Sequence, residues 1–269
     1  MVGAGEMIQP MLPLFIKGGW VAVPSFTMPP DKAFLVKAKR VKEGFEYSFI
    51  REEDYWVKDT LNYEYCTVMQ PYAHQKDTVK FLVEHPRAFV FNGQGSGKSL
   101  SCLWAIDYLY KTQTLKKKVL IVAPLSTLQS VWGKEIFTHF FYYKFNLIRG
   151  TAEKRNTLIN EQVHFNIINH DGLTNMIQRG DINPDHYDLI IYDEATALKT
   201  PTANRFKQFY AFSSKVPSVW MLTGTPIAQS PLDAFALRKI MDPTWRMTYY
   251  AFREVVMYKA TMFKWTPKK

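Results

Sequence analysis

Cysteine is scarce in this 269-residue chain, and its scarcity excludes two ways of holding a protein together. Only Cys66 and Cys102 occur. Neither has a cysteine two positions away or histidines at zinc-ligand spacing, so neither a disulfide framework nor a structural zinc site is supported. Such usage fits a reducing, cytosolic setting, and Cys102, inside a helix-like run, reads as a small buried thiol. Uninterrupted apolar runs are missing too. The stretch Met7 to Val23 is broken by Pro10, Pro13 and Lys17, and residues 1–6 carry only Glu6 as a charge. It therefore reads neither as a signal peptide nor as a membrane span. Internal repeats and low-complexity tracts are absent. Acidic residues are in deficit, 24 Asp+Glu against 34 Lys+Arg, which leaves a net charge of +10. A basic balance points to a polyanionic partner, nucleic acid before membrane, although it also suits a protein that is merely soluble.

What is present is a regular alternation. The length allows one large domain, or one with a small appendage, burying roughly 70–75% of its unfolded surface. Short apolar runs of the buried-strand kind occur at Ala88–Phe91, Lys118–Ala123, Phe145–Ile148, Val163–Ile168, Tyr187–Tyr192 and Ser218–Leu222. Helical patterns separate them, at Leu100–Ile106, Leu128–Phe140, Thr151–Asn160, Asp171–Arg179, Asn204–Phe212 and Pro231–Met241, with one more from Pro71 to Glu84 ahead of the first. This rhythm predicts an α/β fold with a mostly parallel central sheet flanked by helices, whose ligands bind at the carboxyl ends of the strands. Residues 1–66 read as a β-rich N-terminal extension, 67–245 as the main domain, and 246–269 as a C-terminal helix and basic tail. In the extension, Phe34–Val41 and Phe45–Ile50 predict two strands around a Glu43-Gly44 turn. Lys32, Lys37, Lys39, Arg40 and Lys42 cluster there among aromatics, which fits either a DNA-contacting appendage or a solvated hairpin.

Three strand ends carry chemistry. After Ala88–Phe91 comes Asn92-Gly93-Gln94-Gly95-Ser96-Gly97-Lys98-Ser99, then the helical run. Strand, glycine-rich loop and helix start are the context of a phosphate cradle. Its glycines let backbone N–H groups face a triphosphate, Lys98 can reach the β- and γ-phosphates, and the Ser99 hydroxyl can ligate Mg2+. Asn92 stands where the full G-x-x-x-x-G-K-[ST] pattern has its first glycine; a glycine-rich turn before Lys-Ser is the alternative. Asp193-Glu194 follows the Tyr187–Tyr192 strand, where a carboxylate pair can hold a metal (Asp193) and activate water (Glu194), or simply cap a helix. Leu222-Thr223-Gly224-Thr225-Pro226 closes the last strand and could be no more than a turn. Upstream, Gln75 can offer a donor and an acceptor to an adenine edge and Tyr72 can stack on the ring, though a glutamine near a helix start is usually a surface residue.

The order Gln75, Gly95–Ser99, Val122-Ala123-Pro124-Leu125-Ser126, Asp193-Glu194-Ala195-Thr196 and Leu222–Ile227 resembles the first RecA-like lobe of a superfamily-two helicase. It is most similar to a Swi/Snf-type DNA translocase, in the compact form found in bacteria and phages. Leu128–Glu135 with Trp132, Gly150-Thr151 with Lys154-Arg155, and Ile167–Asp171 add to the likeness, which covers roughly residues 70–255. The resemblance implies a RecA-like P-loop NTPase lobe that uses ATP and Mg2+. Position by position it implies that Gln75 recognises adenine and that Lys98 and Ser99 bind phosphate and Mg2+; with the residue reading above, Tyr72 and the loop residues Gly93, Gln94, Gly95, Ser96 and Gly97 complete the expected nucleotide site. Ser99 and Asp193 would bind metal, and Glu194 would activate water. Thr196, Thr223 and Thr225 would couple hydrolysis to movement, and Pro124, Ser126, Thr127, Asn169 and His170 would lie along a double-stranded DNA backbone. The setting it implies is cytoplasmic, in a bacterial or phage-infected cell.

Two departures stand out. Thr196 occupies the position where the family's acidic box has histidine. The family also needs a second RecA-like lobe with arginine fingers, and too few residues follow Leu237 to hold one. The sequence thus reads as a first lobe alone or as half of a split motor, nearly inactive by itself because an arginine finger is worth about 10³–10⁵ in turnover. Two other classes remain open: a binding module that uses a degenerate ATPase lobe as a nucleotide switch, and a small-molecule P-loop kinase. The kinase reading leaves Gln75 and Leu222–Pro226 unexplained.

Overall fold

The computed structural model describes residues 21–23, 34–41, 44–49, 61, 63–65, 70–224, 230–259 and 265–267. Cys66, Lys32, Lys42 and Thr225 lie outside the described residues.

Six strands form an all-parallel sheet: β4 (Arg87–Val90), β5 (Lys118–Ala123), β6 (Phe145–Leu147), β7 (Phe165–Asn169), β8 (Tyr187–Asp193) and β9 (Ser218–Leu222). Their lateral order is β4-β9-β8-β5-β7-β6. Beyond β4 lie β1 (Val21–Val23), parallel to it through Ala22 and Val90, and the antiparallel strands β2 (Phe34–Val41) and β3 (Gly44–Phe49). The expected N-terminal hairpin is thus continuous with the sheet. Its β2–β3 register pairs Val41 with Gly44, so Gly44 opens the second strand instead of sitting in the turn.

Burial on both faces explains the apolar runs. Along β5, Val119, Ile121 and Ala123 join one core cluster while Leu120 and Val122 join the other; along β8, Leu189 and Ile191 separate in the same way from Ile190 and Tyr192. A period of two sorts side chains to opposite faces, so every second residue must be apolar on each. Helices α1 (Ala73–Glu84), α2 (Lys98–Lys111) and α3 (Lys134–His139) supply residues to one cluster. The other draws on α4 (Ala152–Asn160), α5 (His170–Arg179), α6 (Asn204–Ser213) and α7 (Asp233–Met241).

At the amino end of β4, Arg87 donates to the carbonyls of Ile240 (2.8 Å), Ser213 (2.9 Å) and Val216 (3.0 Å). One guanidinium thereby satisfies carbonyls at the ends of α6 and α7, which a helix leaves without internal partners.

Two segments differ from the sequence expectation. Leu128–Gly133, read as the start of an ordinary helix, is wound as a π-helical turn before α3. The tail holds α8 (Tyr249–Val256) followed by a two-stranded hairpin, β10 (Met257–Lys259) and β11 (Trp265–Pro267). The guanidinium of Arg253, 4.1 Å from the Trp265 ring centre, holds β11 against the helix by a cation–π contact.

Candidate active site

The register lines up the strand ends in one row: Val90 pairs with Leu222, Leu222 with Asp193, Tyr192 with Val122, and Ala123 with Asn169. The loops leaving these ends therefore share the carboxyl edge of the sheet. At about 4.8 Å per strand, the β4 loop and the β7 end lie about 19 Å apart along that edge.

The β4–α2 loop turns on Gly95 and Gly97, both at φ +76°, in the left-handed region that favours glycine. Ser96 Oγ donates to Gly93 O at 2.8 Å, and Lys98 Nζ donates to Asn92 O and Gly93 O, each at 2.8 Å. Asn92 has its own part in this scaffold. Its Nδ2 donates to Thr78 Oγ1 at 3.0 Å, and Thr78 Oγ1 in turn donates to His74 O at 2.7 Å. Gln75 is buried at 6% exposure; its Nε2 donates to Ser96 O at 3.3 Å, and its Oε1 accepts the Tyr72 N–H at 2.9 Å. Its amide is thus turned onto the loop. Tyr72 is 70% exposed and stacks on His74 with ring centres 5.8 Å apart.

On β8, Asp193 Oδ2 accepts the Trp132 indole N–H (3.0 Å) and Oδ1 accepts the Glu194 N–H (3.0 Å). Glu194 takes a left-handed backbone, φ +55°, unusual for a residue with a side chain and typical of functional turns. Burial holds the Lys98 ammonium below the usual lysine range, opposed by the negative charges of Asp193 and Glu194. Burial, then the Asp193 charge, raises the Glu194 carboxyl, while Lys98 pulls it down. These three groups, from two separate strand ends, therefore share one electrostatic site. Cys102, one turn along α2, is a buried free thiol raised by desolvation.

Thr223 is buried, and its N–H donates to Val90 O at 3.1 Å. A Cβ on Gly224 would meet Gln94 Cγ at 3.4 Å, so the end of β9 rests on the phosphate loop. Thr196 lies in the short 3-10 turn Ala195–Leu198 after Glu194.

Two strands away, Thr127 folds back on Pro124, its N–H and Oγ1 both donating to Pro124 O at 3.0 Å, and Ser130 Oγ donates to Ser126 O at 2.5 Å. Asn169 stands at the N-cap position of α5 without a side-chain capping bond; His170 stacks on Tyr192 (4.8 Å, 5°) and its Nε2 bonds Asp193 O at 2.9 Å. The residues expected along DNA are thus gathered at the β5 and β7 ends, and His170 touches the acidic pair as well. Sequence reasoning missed the contacts of His74, Asn92 and Trp132. For Trp132 a signal existed, since a buried indole usually finds a partner for its N–H.

Among the described residues no group of three or more His, Cys, Asp and Glu could hold a metal ion. A hydroxyl (Ser99) and a carboxylate (Asp193) beside a phosphate cradle nevertheless fit Mg2+, which takes hard oxygen donors and keeps several waters. No helix among the described residues is long and apolar enough to cross a membrane.

A parallel sheet with a phosphate loop on one strand end and an acidic pair two strands away defines a RecA-like P-loop ATPase lobe. The model of the SNF2-related domain matches residues 74–264, and the chain belongs to that family as a superfamily-two, Swi/Snf-type ATPase lobe. It is 31% identical over 194 residues to "Putative protein p41" of Acyrthosiphon pisum secondary endosymbiont phage 1, covering 68% of this chain and 41% of that protein. It is 28% identical over 185 residues to a SWI/SNF-related matrix-associated actin-dependent regulator of chromatin subfamily A-like protein 1 homolog from Caenorhabditis elegans, covering 65% and 26%. It is 26% identical over 160 residues to the chromatin-remodeling ATPase INO80 of Debaryomyces hansenii, covering 56% and 12%. The chain thus spans less than half the length of these relatives. Its fold is similar to the Sulfolobus solfataricus SWI2/SNF2 ATPase core in complex with dsDNA, with a TM-score of 0.60 at 20% identity over 71% of this chain and 39% of that one.

Proposed function

We propose that residues 67–245 bind ATP with Mg2+ and hydrolyse it to drive movement on double-stranded DNA once a second RecA-like lobe is present, in a cytoplasmic setting. The observation that carries this reading is the meeting of Lys98, Asp193 and Glu194 in one electrostatic site beside the glycine-rich loop. Lys98 would exchange its two carbonyl acceptors for β- and γ-phosphate oxygens, and the loop N–H groups would cradle the phosphates. Gln75 and Tyr72 would meet the adenine. Ser99 and Asp193 would hold Mg2+, which would supply positive charge to offset that of the phosphates. Glu194 would orient the attacking water and accept its proton; its raised carboxyl makes it a better base than an exposed glutamate. Thr196, Thr223 and Thr225 would pass the change to the second lobe. Pro124, Ser126, Thr127, Asn169 and His170 would grip phosphates by hydroxyl and backbone groups, a hold that carries no base information.

By this reading the chain alone binds ATP weakly and turns it over slowly, because the arginine finger comes from elsewhere. The test is ATP binding and hydrolysis with and without duplex DNA, beside Lys98→Ala and with a second lobe supplied. Binding lost in Lys98→Ala, and turnover rising about 10³-fold or more with the second lobe, is the expected result. Turnover above about 1 s⁻¹ from residues 1–269 with DNA alone refutes the dependence on a second lobe. Salt-sensitive DNA binding without any nucleotide binding points instead to a binding module.

A further inference from the structure

We propose that Trp132 is a positioning residue for Asp193, its indole N–H fixing the carboxylate in the orientation in which it meets Mg2+. The inference rests on the ATPase reading above and adds a residue to it.

Three described tryptophans are fully buried: Trp104, Trp132 and Trp220. Trp220 Nε1 donates to a backbone carbonyl, that of His85, at 3.1 Å, and Trp104 Nε1 has no hydrogen-bond partner. Trp132 differs from both, because it donates to a carboxylate at the site, Asp193 Oδ2 at 3.0 Å, from 61 residues away in sequence. Asp193 has a donor at every acceptor: Oδ2 from Trp132, Oδ1 from the N–H of the next residue, Glu194, and its carbonyl from His170. A carboxylate has about four lone-pair sites, so one donor on each oxygen orients the group and leaves each oxygen able to accept again, from metal or metal-bound water.

The chemistry of the donor matters. Lysine or arginine at this place would bring a positive charge that competes with Mg2+ for the carboxylate. A neutral indole N–H fixes direction without cancelling charge, as the partners of metal ligands commonly do. The backbone that delivers the indole is also uncommon. Trp132 sits in the π-helical turn Leu128–Gly133, and such turns are rare and concentrated at functional sites.

The test separates orientation from mere packing. Trp132→Phe keeps a buried ring and removes the N–H. The affinity of a fluorescent ADP analogue is measured in EDTA and in Mg2+, and the ratio of the two dissociation constants reports what the metal contributes. The expected result is an unchanged affinity in EDTA and a Mg2+ enhancement about 10-fold smaller than in the wild type, the low end of what removing such a partner costs. Trp132→Tyr, whose hydroxyl can donate in the same direction, is expected to recover part of it. An unchanged ratio, or an equal loss with and without Mg2+, overturns the inference and leaves the ATPase reading standing. Wild-type protein that binds the analogue in neither condition overturns both. Should Trp132→Phe fail to fold, 15N-indole-labelled wild type answers the same question. One indole N–H resonance is expected to move when Mg2+ is added to the ADP-bound protein and to stay still in Asp193→Asn; an absence of any indole shift overturns the proposal.

Discussion

Replacing Gly97 by alanine tests whether the phosphate loop and Gln75 form one unit. Gly97 has φ 76° and ψ 30°, and a Cβ built on it falls 2.1 Å from Gln75 Nε2 and 3.4 Å from Gln75 Cδ. Two costs follow. The left-handed backbone costs a residue with a side chain about 1–2 kcal/mol. The glutamine amide is the far end of a flexible side chain and can move, but only by giving up its bonds to Ser96 O and the Tyr72 N–H, each worth about 0.5–1.5 kcal/mol. Together these give a loss of about 2–4 kcal/mol, allowing for overlap between the two. The assay is urea unfolding of wild type, Gly97→Ala, Gln75→Ala and the double variant. Without Gln75 the obstruction is gone, so Gly97→Ala should cost only the backbone part, about 1–2 kcal/mol. A cost below about 1 kcal/mol in the wild-type background, or the same cost in both backgrounds, refutes the reasoning.

Stability should also fall in mild acid. Burial, the first cause in each case, holds His85, His164 and His170 below the ordinary histidine value of 6.5, so the unfolded chain takes up protons before the folded one does. Their contribution is complete above about pH 6.5 and declines as the pH drops from there toward the folded values. The urea midpoint is expected to fall between pH 7.5 and 5.5, less steeply in His85→Asn; a midpoint that stays flat or rises contradicts this. Arg87→Met should leave the carbonyls of Ile240, Ser213 and Val216 unpaired and cost about 3–5 kcal/mol while nucleotide affinity stays the same. A loss under about 1 kcal/mol in the free energy of urea unfolding would show that these bonds are replaced by water.

The parallel sheet was legible because its strands are buried on both faces, leaving apolar runs such as Leu189–Tyr192 that end abruptly in polar residues. The row of strand ends could be read for the same reason, since Asn92, Asp193 and Thr223 each stand where such a run stops, and Ser99 closes the loop that Asn92 opens. What stayed hidden depends on contacts that leave no periodic trace. The Trp132–Asp193 bond joins residues in different helical and strand segments. A π-helical turn of six residues keeps Leu128 and Trp132 buried, as an α-helical turn would, so the apolar pattern cannot tell the two apart. The hairpin β10–β11 reads as a tail because Trp265-Thr266-Pro267 is short and contains proline; its support comes from the Arg253 stack and its pairing with Met257–Lys259.

The Arg87 junction gives the sheet a rigid end and a responsive one. Two helix termini are fastened to the start of the strand that carries the phosphate loop, so a push on that loop is resisted from below. A displacement at the nucleotide has little freedom to sink into the body of the lobe and must travel sideways, from one strand end to the next. In hydrogen-exchange terms, amides near the start of β4 and β9 should open only with the whole lobe, while those of the carboxyl-edge loops open on their own. A lobe built this way can pass a displacement along its carboxyl edge without being deformed by it.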